Sequence, residues 1–474
     1  MLRFAVKTLG CKTNQYDTQA LSAALEQAGH APAGPGAHAD LLVVNTCCVT
    51  ASAMAKSRNA IRRAVRAHPG AAVFVTGCYS DYDRKQLRKL LDELGVDRHR
   101  CRLNGYHGDL AKALADFADQ LNRNTRKPES RDAQNARDDA VPGNIRARRL
   151  AVVKGNVFAT KGLPPIRRFP GRQRAFVKVQ DGCDALCSYC IVPYTRPKVW
   201  SRPPEQVIEE CRQLARAGHK EIVLSGVFLG AYGRTTTVRR RWRPDAAQPL
   251  CSLLRRVCDI EPLWRVRLSS LEPGDVTDEL LDVMADCAKV APHLHLPLQS
   301  GSPAILRRVG RQYTAEQYRD SLRRVREALD HPAITTDIIV GLPGETDDDF
   351  ALTLELAREA GFAKIHAFPF SPIEPTPAWA QRDEAPAPQT VKARLAELAR
   401  VEAQTARDYQ AAFVGRTVEA LVQRPARSAE RQALTDRYLT VRFTPPPGAR
   451  GLTGRVVRIA LDALAPDGLH GTLV

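Results

Sequence analysis

Three cysteines, Cys183, Cys187 and Cys190, lie within eight residues in the stretch VQDGCDALCSYCIVPYTRP (179–197). The apolar run RAFVKVQ (174–180) leads into them, so they occupy the loop that follows a predicted strand. An iron–sulfur cluster with four irons ordinarily takes one thiolate per iron. Three local thiolates would leave one iron open to another ligand. This loop therefore predicts a metal centre with an open position at the end of a strand.

Zinc is the alternative metal for these thiols. A zinc site uses three or four ligands, and the nearest downstream histidine is His219, which lies beyond a predicted helix. The sequence therefore provides no nearby histidine as a further zinc ligand. A non-catalytic, zinc-bearing RNA-binding protein is the alternative from another functional class.

The chain after residue 171 alternates apolar strands with amphipathic helices, such as 204–217 and 346–360. Besides the strand before the cysteines, the strand candidates are EIVLSG (221–226), WRVRLSS (264–270), HLHLPL (293–298), ITTDIIVGL (334–342) and KIHAFPF (364–370). Six strands predict an incomplete (β/α)6 barrel, closed by a long helix near 387–412. Barrel enzymes keep their chemistry at the carboxyl ends of the strands, where the cysteine loop would lie. On the fourth strand, His295 is predicted to face the barrel and His293 the helices.

The first ~120 residues show the same alternation, which predicts a parallel α/β sheet. RFAVKTLG, LLVVNTC and AVFVTGC are its strands, and they are followed or ended by Cys11, Cys47 and Cys78. Carboxyl ends of parallel strands share one edge, so the three cysteines could converge there. Neighbouring residues of a strand point in opposite directions, so Cys48 is predicted to be an inert neighbour of Cys47.

Two segments differ in composition. Residues 124–170 carry mixed charge and few apolar residues, which predicts a linker or surface excursion. Residues 413–474 contain nine Arg, no Lys and five acidic residues between Pro and Gly turns, which predicts a small basic β-barrel. Such a barrel favours RNA binding, with a capping domain as the alternative. The predicted domains are 1–123, the linker 124–170, the barrel 171–412 and the β domain 413–474.

The formal net charge of +18 favours a polyanionic partner, although a high-GC genome would also explain 55 Arg against 15 Lys. No apolar run approaches the ~20 residues that span a bilayer, and MLRFAVKTLG lacks the apolar core of a signal peptide. We therefore expect a cytoplasmic protein of several domains with no membrane partner, whose twelve cysteines stay reduced.

The C-x3-C-x2-C spacing, with Tyr189 before the last cysteine, resembles the signature of the radical S-adenosylmethionine enzymes. The resemblance implies that Cys183, Cys187 and Cys190 hold a [4Fe–4S] cluster whose open iron binds S-adenosylmethionine. The reduced cluster would give S-adenosylmethionine an electron, which cleaves the cofactor and yields a 5′-deoxyadenosyl radical. LSGVFLGAYG (224–233), RLSSLEP (267–273) and TDIIVGLPGET (336–346) resemble the stretches that contact this cofactor. The implied cofactor-binding residues are Tyr189, Gly226, Ser270, Glu272, Gln299, Asp337 and Gly341. No catalytic residue beyond the cluster ligands is predicted.

HLHLPLQSGS (293–302), together with LGCKTNQYD, VNTCCVT and TGCYS, is similar to the methylthiotransferases over nearly the whole chain. This resemblance implies a second [4Fe–4S] cluster on Cys11, Cys47 and Cys78 that supplies sulfur, and a carboxyl-terminal TRAM-type domain. GCKTNQYDTQAL most resembles the subgroup that methylthiolates C2 of N6-threonylcarbamoyladenosine at position 37 of tRNAs reading ANN codons. The alternatives are isopentenyladenosine in tRNA and an aspartate of a ribosomal protein.

A tRNA substrate fits the basic charge, since phosphate contacts give affinity through counterion release. The loop RRRWRP (239–244) places Trp242 among four Arg, which suits phosphate contact and base stacking, although a solvated insertion is equally compatible. The predicted RNA-binding residues are Arg239, Arg240, Arg241, Trp242, Arg243, Arg455 and Arg458. The family resemblance also implies an electron donor such as flavodoxin or ferredoxin, and it leaves the oligomeric state open.

Overall fold

The structure is a computed structural model that describes residues 1–34, 36–106, 109–124, 164–243, 248–424, 430–446, 448–449 and 451–474. Most of the predicted linker 124–170 lies outside the described residues. The chain forms two compact units. The first comprises residues 1–166, 182–199 and 371–380, and the second comprises residues 167–181, 200–370 and 381–474. The four domain bounds drawn from the sequence stay a prediction.

The first unit is built on a five-stranded parallel sheet of order β2-β1-β3-β4-β5. Its strands are β1 (Arg3–Thr8), β2 (Ala31–Pro32), β3 (Leu41–Thr46), β4 (Ala72–Gly77) and β5 (Cys101–Asn104). Its helices are α1 (Lys12–Gln27), α2 (Ala51–Ala67), α3 (Cys78–Tyr82), α4 (Arg84–Glu93), α5 (Leu110–Asn124), α6 (Val192–Thr195) and α13 (Pro377–Ala380), with a 3-10 turn at Arg98–Arg100. Every residue of β3 and β4 is buried, as is typical of parallel strands covered on both faces.

The second unit contains six parallel strands in the order β6-β9-β10 and β11-β12-β13. They are β6 (Arg174–Lys178), β9 (Glu221–Ser225), β10 (Arg265–Leu268), β11 (His293–His295), β12 (Ala333–Val340) and β13 (Lys364–Pro369), and a separate ribbon pairs β7 (Gln180–Asp181) with β8 (Trp200–Ser201). Single bridges, Val266–Val290 and Ser270–His295, join the two halves. In the described residues β6 and β13 do not pair, so the incomplete six-stranded barrel expected from the sequence is confirmed.

Helices cover the outside of this barrel, and four of them begin at a hydroxyl side chain that caps the helix, at Thr277, Ser302, Thr314 and Thr346. They are α7 (Pro204–Arg216), α8 (Pro249–Cys258), α9 (Asp278–Asp286), α10 (Pro303–Arg308), α11 (Ala315–Ala328), α12 (Asp347–Ala360) and α14 (Pro388–Ala411), with 3-10 turns at Leu229–Ala231, Arg239–Arg241, Pro273–Asp275 and Arg382–Glu384. Capping boxes start α11 at Thr314 and α12 at Thr346. Helix α12 ends at Gly361, which adopts the left-handed conformation with φ of 49°. Of the helices in the described residues, none has the length and apolar character needed to cross a bilayer.

The carboxyl-terminal part of the second unit is a closed barrel of order β14-β15-β16-β18-β17. Its strands are β14 (Thr417–Val422), β15 (Arg431–Thr435), β16 (Thr440–Phe443), β17 (Val456–Ala465) and β18 (Gly468–Leu473). Phe413, Val441, Phe443, Ile459 and Leu469 form much of its core. This confirms the small β-barrel expected from the short strands and turns of the sequence.

Candidate cluster sites and barrel chamber

Three cysteines of the first unit follow neighbouring strands of its sheet. Cys11 precedes α1 shortly after β1 ends, Cys47 directly follows β3, and Cys78 directly follows β4. Because β1 pairs with β3 and β3 with β4 in parallel, their carboxyl ends lie side by side. The structure thus brings the three cysteines to one edge of the sheet, where their role as cluster ligands stays a prediction.

Two glycines allow these strand ends to approach closely. Gly10 has a φ of +99°, and a Cβ added there would lie 3.0 Å from Sγ of Cys47. Gly77 has a φ of +97°, and its Cβ would lie 2.2 Å from the carbonyl oxygen of Thr46. A side chain at either position would strain the backbone and push the cysteine loops apart.

Cys47 is held firmly and is buried. Its N–H donates to Oγ of Ser57 at 3.1 Å, and the Ser57 hydroxyl donates back to the Cys47 carbonyl at 3.1 Å. Burial, together with the nearby Cys78 and Cys11 sulfurs, raises the pKa of Cys47 to about 12. Converging thiolates repel one another unless cationic metal compensates them, so this donor set fits an iron–sulfur cluster.

The distances between cysteine sulfurs differ between a cluster site and a site for a single metal ion. In the part of the chain that the structure describes, no three cysteine sulfurs lie within 4.8 Å of one another, and the one group of three ligand atoms that meets this limit is His295, Asp337 and His366. A cubane binds each thiolate through a different iron, whereas one zinc ion gathers all its ligands around a single atom. That these cysteines bind a cluster and not one zinc ion stays a prediction.

Cys48 is fully buried, and its expected role as an inert neighbour of Cys47 stays a prediction. Cys48 is close enough to Cys78 for each thiol to affect the pKa of the other. The interaction with Cys48 is the largest cause that lowers the pKa of Cys78, and Arg196 also lowers it, against the effect of burial. Burial, then the interaction with Cys78, raises the pKa of Cys48. The adjacent thiol therefore acts on Cys78, which strand periodicity alone could not show.

The loop with the other three cysteines belongs to the first unit and is tied by its own backbone. The N–H of Cys183 donates to the carbonyl of Arg196 at 3.0 Å, and the N–H of Cys190 donates to the carbonyl of Cys187 at 3.0 Å. Cys187 is buried, while Cys183 and Cys190 are partly exposed, as is Tyr189. The loop thus presents three thiols from one short turn, as an open-position cluster requires.

Arg196 connects this cysteine loop to the start of α1. Its Nη2 donates to Oδ1 of Asn14 at 3.1 Å and to Oδ2 of Asp17 at 3.0 Å. The guanidinium stacks on the Tyr106 ring at 3.7 Å from the centroid. Asn14 in turn donates to the carbonyl of Thr46, at the end of β3. Both sets of cysteines are therefore linked through one buried polar network within the first unit.

Several residues expected to bind the cofactor lie along the second unit's strand ends. The N–H of Gly226 meets Oγ of Ser269 at 3.4 Å, and Ser270 bridges to His295. A Cβ at Gly226 would lie 2.9 Å from Oε1 of Gln180, so only glycine fits there without a shift. These contacts place Gly226 and Ser270 at the ends of β9 and β10, and their cofactor role stays a prediction.

Gln299, Asp337 and Gly341 form a second group at the ends of β11 and β12. The N–H of Gln299 donates to the Asp337 carbonyl at 2.8 Å, and Gln299 has a φ of +64°. A non-glycine residue in this region stores strain, which is frequent at binding sites. The N–H of Gly341 donates to the carboxylate of Glu345 at 2.7 Å, so this amide already has a partner.

Glu272 is surrounded by arginines. Its Oε1 accepts from Arg311 Nη2 at 2.6 Å, and its Oε2 accepts from Arg239 Nε at 3.3 Å. Arg239 also pairs with Asp275 at 2.7 Å. The two guanidinium groups hold this carboxylate in place after the end of β10. In the predicted contact with the cofactor, the ribose and both arginines would bind to the same carboxylate.

The floor of the six-stranded barrel holds a buried charge cluster. Oε1 of Glu221 accepts from Nε of Arg267 at 2.7 Å, and Oε2 accepts from Nη1 of Arg265 at 3.3 Å. Arg174 approaches Glu221 at 3.9 Å. Burial, together with the neighbouring Arg267, lowers the pKa of Arg265 to about 9, although the carboxylates of Glu221, Asp436 and Glu419 oppose this shift. Glu221 is the carboxylate that all three guanidinium groups share.

A turn of the small β-barrel closes this floor. Arg267 donates to the carbonyls of Thr435 and Asp436, in the turn between β15 and β16. Tyr438 in that turn lies under Arg267, 3.9 Å from its guanidinium carbon to the ring centroid, and contacts the His293 ring at 4.5 Å. The carboxyl-terminal barrel therefore supplies part of the floor of the six-stranded barrel.

Polar side chains line the inside of the six-stranded barrel above this floor. We call the space bordered by His295, Asp337 and His366 the chamber. Nε2 of His295 lies 3.3 Å from Oδ2 of Asp337, and Nδ1 of His295 lies 2.9 Å from Oγ1 of Thr335. His293 reaches the same Thr335 hydroxyl at 3.3 Å. The expectation that His293 faces the helices is wrong, because residues two apart on a strand share a face. The expectation for His295 agrees with the structure.

The predicted RNA-binding residues divide into two groups. Arg239 is occupied by Glu272 and Asp275, so the geometry does not favour an RNA contact for it. Trp242 donates its Nε1–H to the Thr236 carbonyl at 2.9 Å and packs under Arg239 at 4.8 Å. The exposed members are Arg240, Arg241, Arg243, Arg455 and Arg458.

The sequence interpretation did not single out several residues that the structure makes prominent. They are Arg196, Glu221, Thr335, His366 and Tyr438. Strand periodicity could have placed Asp337 and His366 on one face, because their strands were both identified. The contacts of Arg196 and Tyr438 join residues far apart in sequence, and no local sequence pattern predicts such contacts.

Comparison with known proteins identifies the chemistry. Residues 177–357 match the Radical SAM superfamily, and residues 3–96 match the uncharacterized protein family UPF0004. The chain is 32% identical, over 97% of its length and 94% of the other protein, to threonylcarbamoyladenosine tRNA methylthiotransferase MtaB of Bacillus subtilis (strain 168). The chain belongs to the tRNA methylthiotransferase family. It is therefore an enzyme, and its family uses S-adenosylmethionine and two [4Fe–4S] clusters.

Another member of the family acts on a different base modification. The tRNA-2-methylthio-N(6)-dimethylallyladenosine synthase of Staphylococcus aureus (strain JH9) is 30% identical over 99% of this chain and 85% of that protein. Among solved structures, the radical S-adenosylmethionine methyltransferase TsrM from Kitasatospora setae superposes with a TM-score of 0.52 and 17% identity, covering 80% of this chain and 77% of that one. At that identity the likeness shows the fold alone. For this methylthiotransferase, the relatives support tRNA as the substrate class.

Proposed function

We propose that this methylthiotransferase converts N6-threonylcarbamoyladenosine at position 37 of tRNAs that read ANN codons into its 2-methylthio derivative. The observation that carries the proposal is the 32% identity, over 97% of the chain, to a protein named for that substrate. The dimethylallyladenosine synthase at 30% identity keeps isopentenyladenosine as the second candidate. An aspartate of a ribosomal protein is the third.

In this proposal the two sets of cysteines hold the two clusters. Cys183, Cys187 and Cys190 hold the cluster that, when bound, supplies the electron for cleavage of S-adenosylmethionine. Cys11, Cys47 and Cys78 hold the auxiliary cluster, which supplies sulfur. The support is the short cysteine turn in the first case and the convergence of three strand ends in the second. Both sets keep their thiols on rigid backbone, which fixes the geometry around each cluster.

The chain's own residues then place the cofactor and substrate. The residues assigned to S-adenosylmethionine are Tyr189, Gly226, Ser270, Glu272, Gln299, Asp337 and Gly341. Glycine at 226 and 341 lets the backbone lie close to Gln180 and Val391, because a Cβ at either position would clash with those side chains. Arg239 and Arg311 orient Glu272, so a hydroxyl group that contacts this carboxylate would find it fixed.

The tRNA contacts in this proposal come from exposed arginines. Arg240, Arg241 and Arg243 near Trp242, and Arg455 and Arg458 on the TRAM-type barrel, would contact phosphates. Base 37 must leave its stack to reach a barrel interior, as enzymes that modify bases require. We also propose a cytoplasmic location and an electron donor such as flavodoxin or ferredoxin.

Nucleoside mass spectrometry of bulk tRNA tests the substrate. We expect 2-methylthio-N6-threonylcarbamoyladenosine to disappear from cells that lack this gene and to return when the gene is restored. Restoration with the Cys187→Ala protein is the matched control, and it should leave the nucleoside absent. Loss of the isopentenyl derivative instead would replace the substrate and keep the chemistry. No change in either nucleoside would point to the ribosomal protein.

Metal analysis of anaerobically purified protein tests the clusters. Two cubanes predict about eight irons and about eight sulfides per chain. Stoichiometric zinc without sulfide would contradict the cluster assignment and favour the zinc-bearing RNA-binding alternative.

A further inference from the structure

The chamber above the barrel floor contains a group of three side chains, of which Asp337 is also assigned to S-adenosylmethionine and the two histidines have no assigned role. His295, Asp337 and His366 place ring nitrogens and a carboxylate oxygen within 4.8 Å of one another. The rings of His295 and His366 have centroids 5.9 Å apart. The side chains of His295 and Asp337 are 13% and 32% exposed, so the group borders an open space rather than the packed core.

The strands point this group into the barrel. On β12, the hydroxyl of Thr336 lies 3.4 Å from the hydroxyl of Tyr318, which belongs to the surrounding helix α11. Thr335 and Asp337, on either side of Thr336, therefore face the interior. His366 is the direct neighbour of Asp337 in the β12–β13 register. The three side chains thus share the inner surface of the barrel.

Each member has a defined hydrogen-bonding state. Thr335 contacts Nδ1 of His295, which leaves Nε2 directed at Asp337. A neutral His366 ring carries one N–H donor, and partial burial, which lowers its pKa, favours this neutral form. Within the described residues the His366 ring makes no hydrogen bond. The chamber therefore offers a donor at His366 and an acceptor at Asp337.

The barrel floor adds an electrostatic preference. Arg174, Arg265 and Arg267 all lie beside the carboxylate of Glu221. Charges in a low-dielectric interior act over longer distances than in water. These guanidinium groups interact with an anionic group that enters the barrel more favourably than with a neutral hydrocarbon.

The two candidate tRNA substrates differ in what they would bring into this chamber. The threonylcarbamoyl group carries a carboxylate acceptor, together with hydroxyl and amide donors. The isopentenyl group is a hydrocarbon, and it would cover the polar atoms of His366 and Asp337 without replacing their hydrogen bonds, which is costly. The chamber complements the first group and opposes the second.

We propose that His295, Asp337 and His366 form the pocket that recognises the threonyl end of N6-threonylcarbamoyladenosine, with His366 donating to its carboxylate and Asp337 accepting from its hydroxyl or amide. This inference rests on the proposed function and adds the residues that select the substrate. Thr335 is a positioning residue, because it acts through His295. Two histidines and a carboxylate can also bind a divalent metal ion, so metal binding is one outcome of the test.

The test compares two substrates on two enzymes. Anticodon stem-loop RNAs carry either N6-threonylcarbamoyladenosine or the same nucleoside with its carboxylate replaced by a carboxamide, and the cluster-loaded full-length enzyme is assayed by nucleoside mass spectrometry. We expect the wild type to favour the acid over the amide by about 10- to 100-fold in kcat/KM, mostly through KM, since one hydrogen bond to a charged group is at stake. His366→Leu should abolish this preference, and His366→Gln, which keeps an N–H donor, should restore part of it.

Controls separate the pocket from folding and from the substrate assignment. His99→Leu, at an exposed histidine of the first unit, should keep the wild-type preference, and iron content should match in all variants. Equal activity of the wild type on acid and amide would overturn the pocket while leaving the proposed function intact. Stoichiometric zinc or manganese that is lost in His366→Leu would also overturn it in favour of a metal site. A wild type active only on isopentenyladenosine would remove both proposals.

Discussion

Arg196 donates to Asp17 at 3.0 Å, and both side chains are almost fully buried. Arg196 belongs to the loop of Cys183, Cys187 and Cys190, whereas Asp17 lies on α1, which begins just after Cys11. The pair therefore ties the radical-type cysteine loop to the auxiliary cysteine edge within one unit. It fixes the position of one set of cysteines relative to the other, which neither cysteine motif predicts.

Removal of this arginine should destabilise the first unit. Arg196→Ala leaves Asp17 buried without its partner, which typically costs about 3–5 kcal/mol. Arg196→Lys keeps the charge but loses the planar stacking on Tyr106 and the shared contacts to Asn14 and Asp17. We expect a large fall in melting temperature for Ala and a smaller one for Lys, measured anaerobically on cluster-loaded protein. Arg212→Ala, at an exposed arginine, is the control, and an equal fall there would contradict the role of the buried pair.

The fold was predictable from the sequence because alternation of strands and helices is a local pattern. The six barrel strands and the three cysteine-ended strands follow from runs such as EIVLSG and LLVVNTC, which need no long-range information. The network around Arg196 was not predictable, since its partners Asn14 and Asp17 lie more than 170 residues away. Arg239 shows the same limit. Its sequence neighbours indicate an RNA-binding loop, while its charge is taken by Glu272 and Asp275.

Cys48 and Cys78 should respond differently to substitution. Cys78→Ala should lose about half of the iron and all methylthiolation, because one cubane loses a ligand. Cys48→Ala should keep the iron, because in this assignment Cys48 is a neighbour of Cys78 and not a ligand. It should shift the electron paramagnetic resonance signal of the auxiliary cluster, because the surroundings of a ligand sulfur tune the electronics of a cluster. A loss of about four irons from Cys48→Ala would make Cys48 the ligand instead.

The exposed arginines should contribute to tRNA affinity through charge alone. Arg240→Ala, Arg241→Ala, Arg455→Ala and Arg458→Ala should each weaken binding to all tRNA sequences alike, and each lost phosphate contact should lower the salt slope by about 0.9. Filter binding across a range of salt concentrations measures this. Arg323→Ala, at an exposed arginine of α11 already paired with Asp320 and Glu327, serves as the control. An unchanged slope in all four variants would place the tRNA elsewhere.

Glu221 should be essential for the stability of the second unit. Glu221→Gln removes the carboxylate that Arg174, Arg265 and Arg267 share and leaves their buried charges less compensated, at a cost of about 3–5 kcal/mol. Chemical denaturation should show this loss. Glu205→Gln, at an exposed glutamate that pairs with Arg256, should leave the midpoint unchanged. If both variants unfold at the same denaturant concentration, the charge of Glu221 does not stabilise the second unit.

His219 should make the stability of the second unit depend on pH. Its Nε2 accepts a hydrogen bond from the backbone N–H of Phe169 at 3.0 Å, which requires the neutral ring. Burial lowers the pKa of His219 from its ordinary value of 6.5, so the unfolded chain binds a proton at a higher pH than the folded one. Stability from this group is complete above that ordinary value, and it is lost as the pH falls toward the lowered pKa.

The matched variant isolates this contribution. His219→Gln keeps an acceptor oxygen but cannot titrate, so its stability should fall less than that of the wild type between neutral pH and a pH of about 5.5. The measurement is urea denaturation of both proteins at each pH, with iron content checked at the start of each curve, because acid loss of a cluster would affect both proteins equally. Parallel losses in the two proteins would assign the acid sensitivity to other groups, since only the wild type carries the titrating ring.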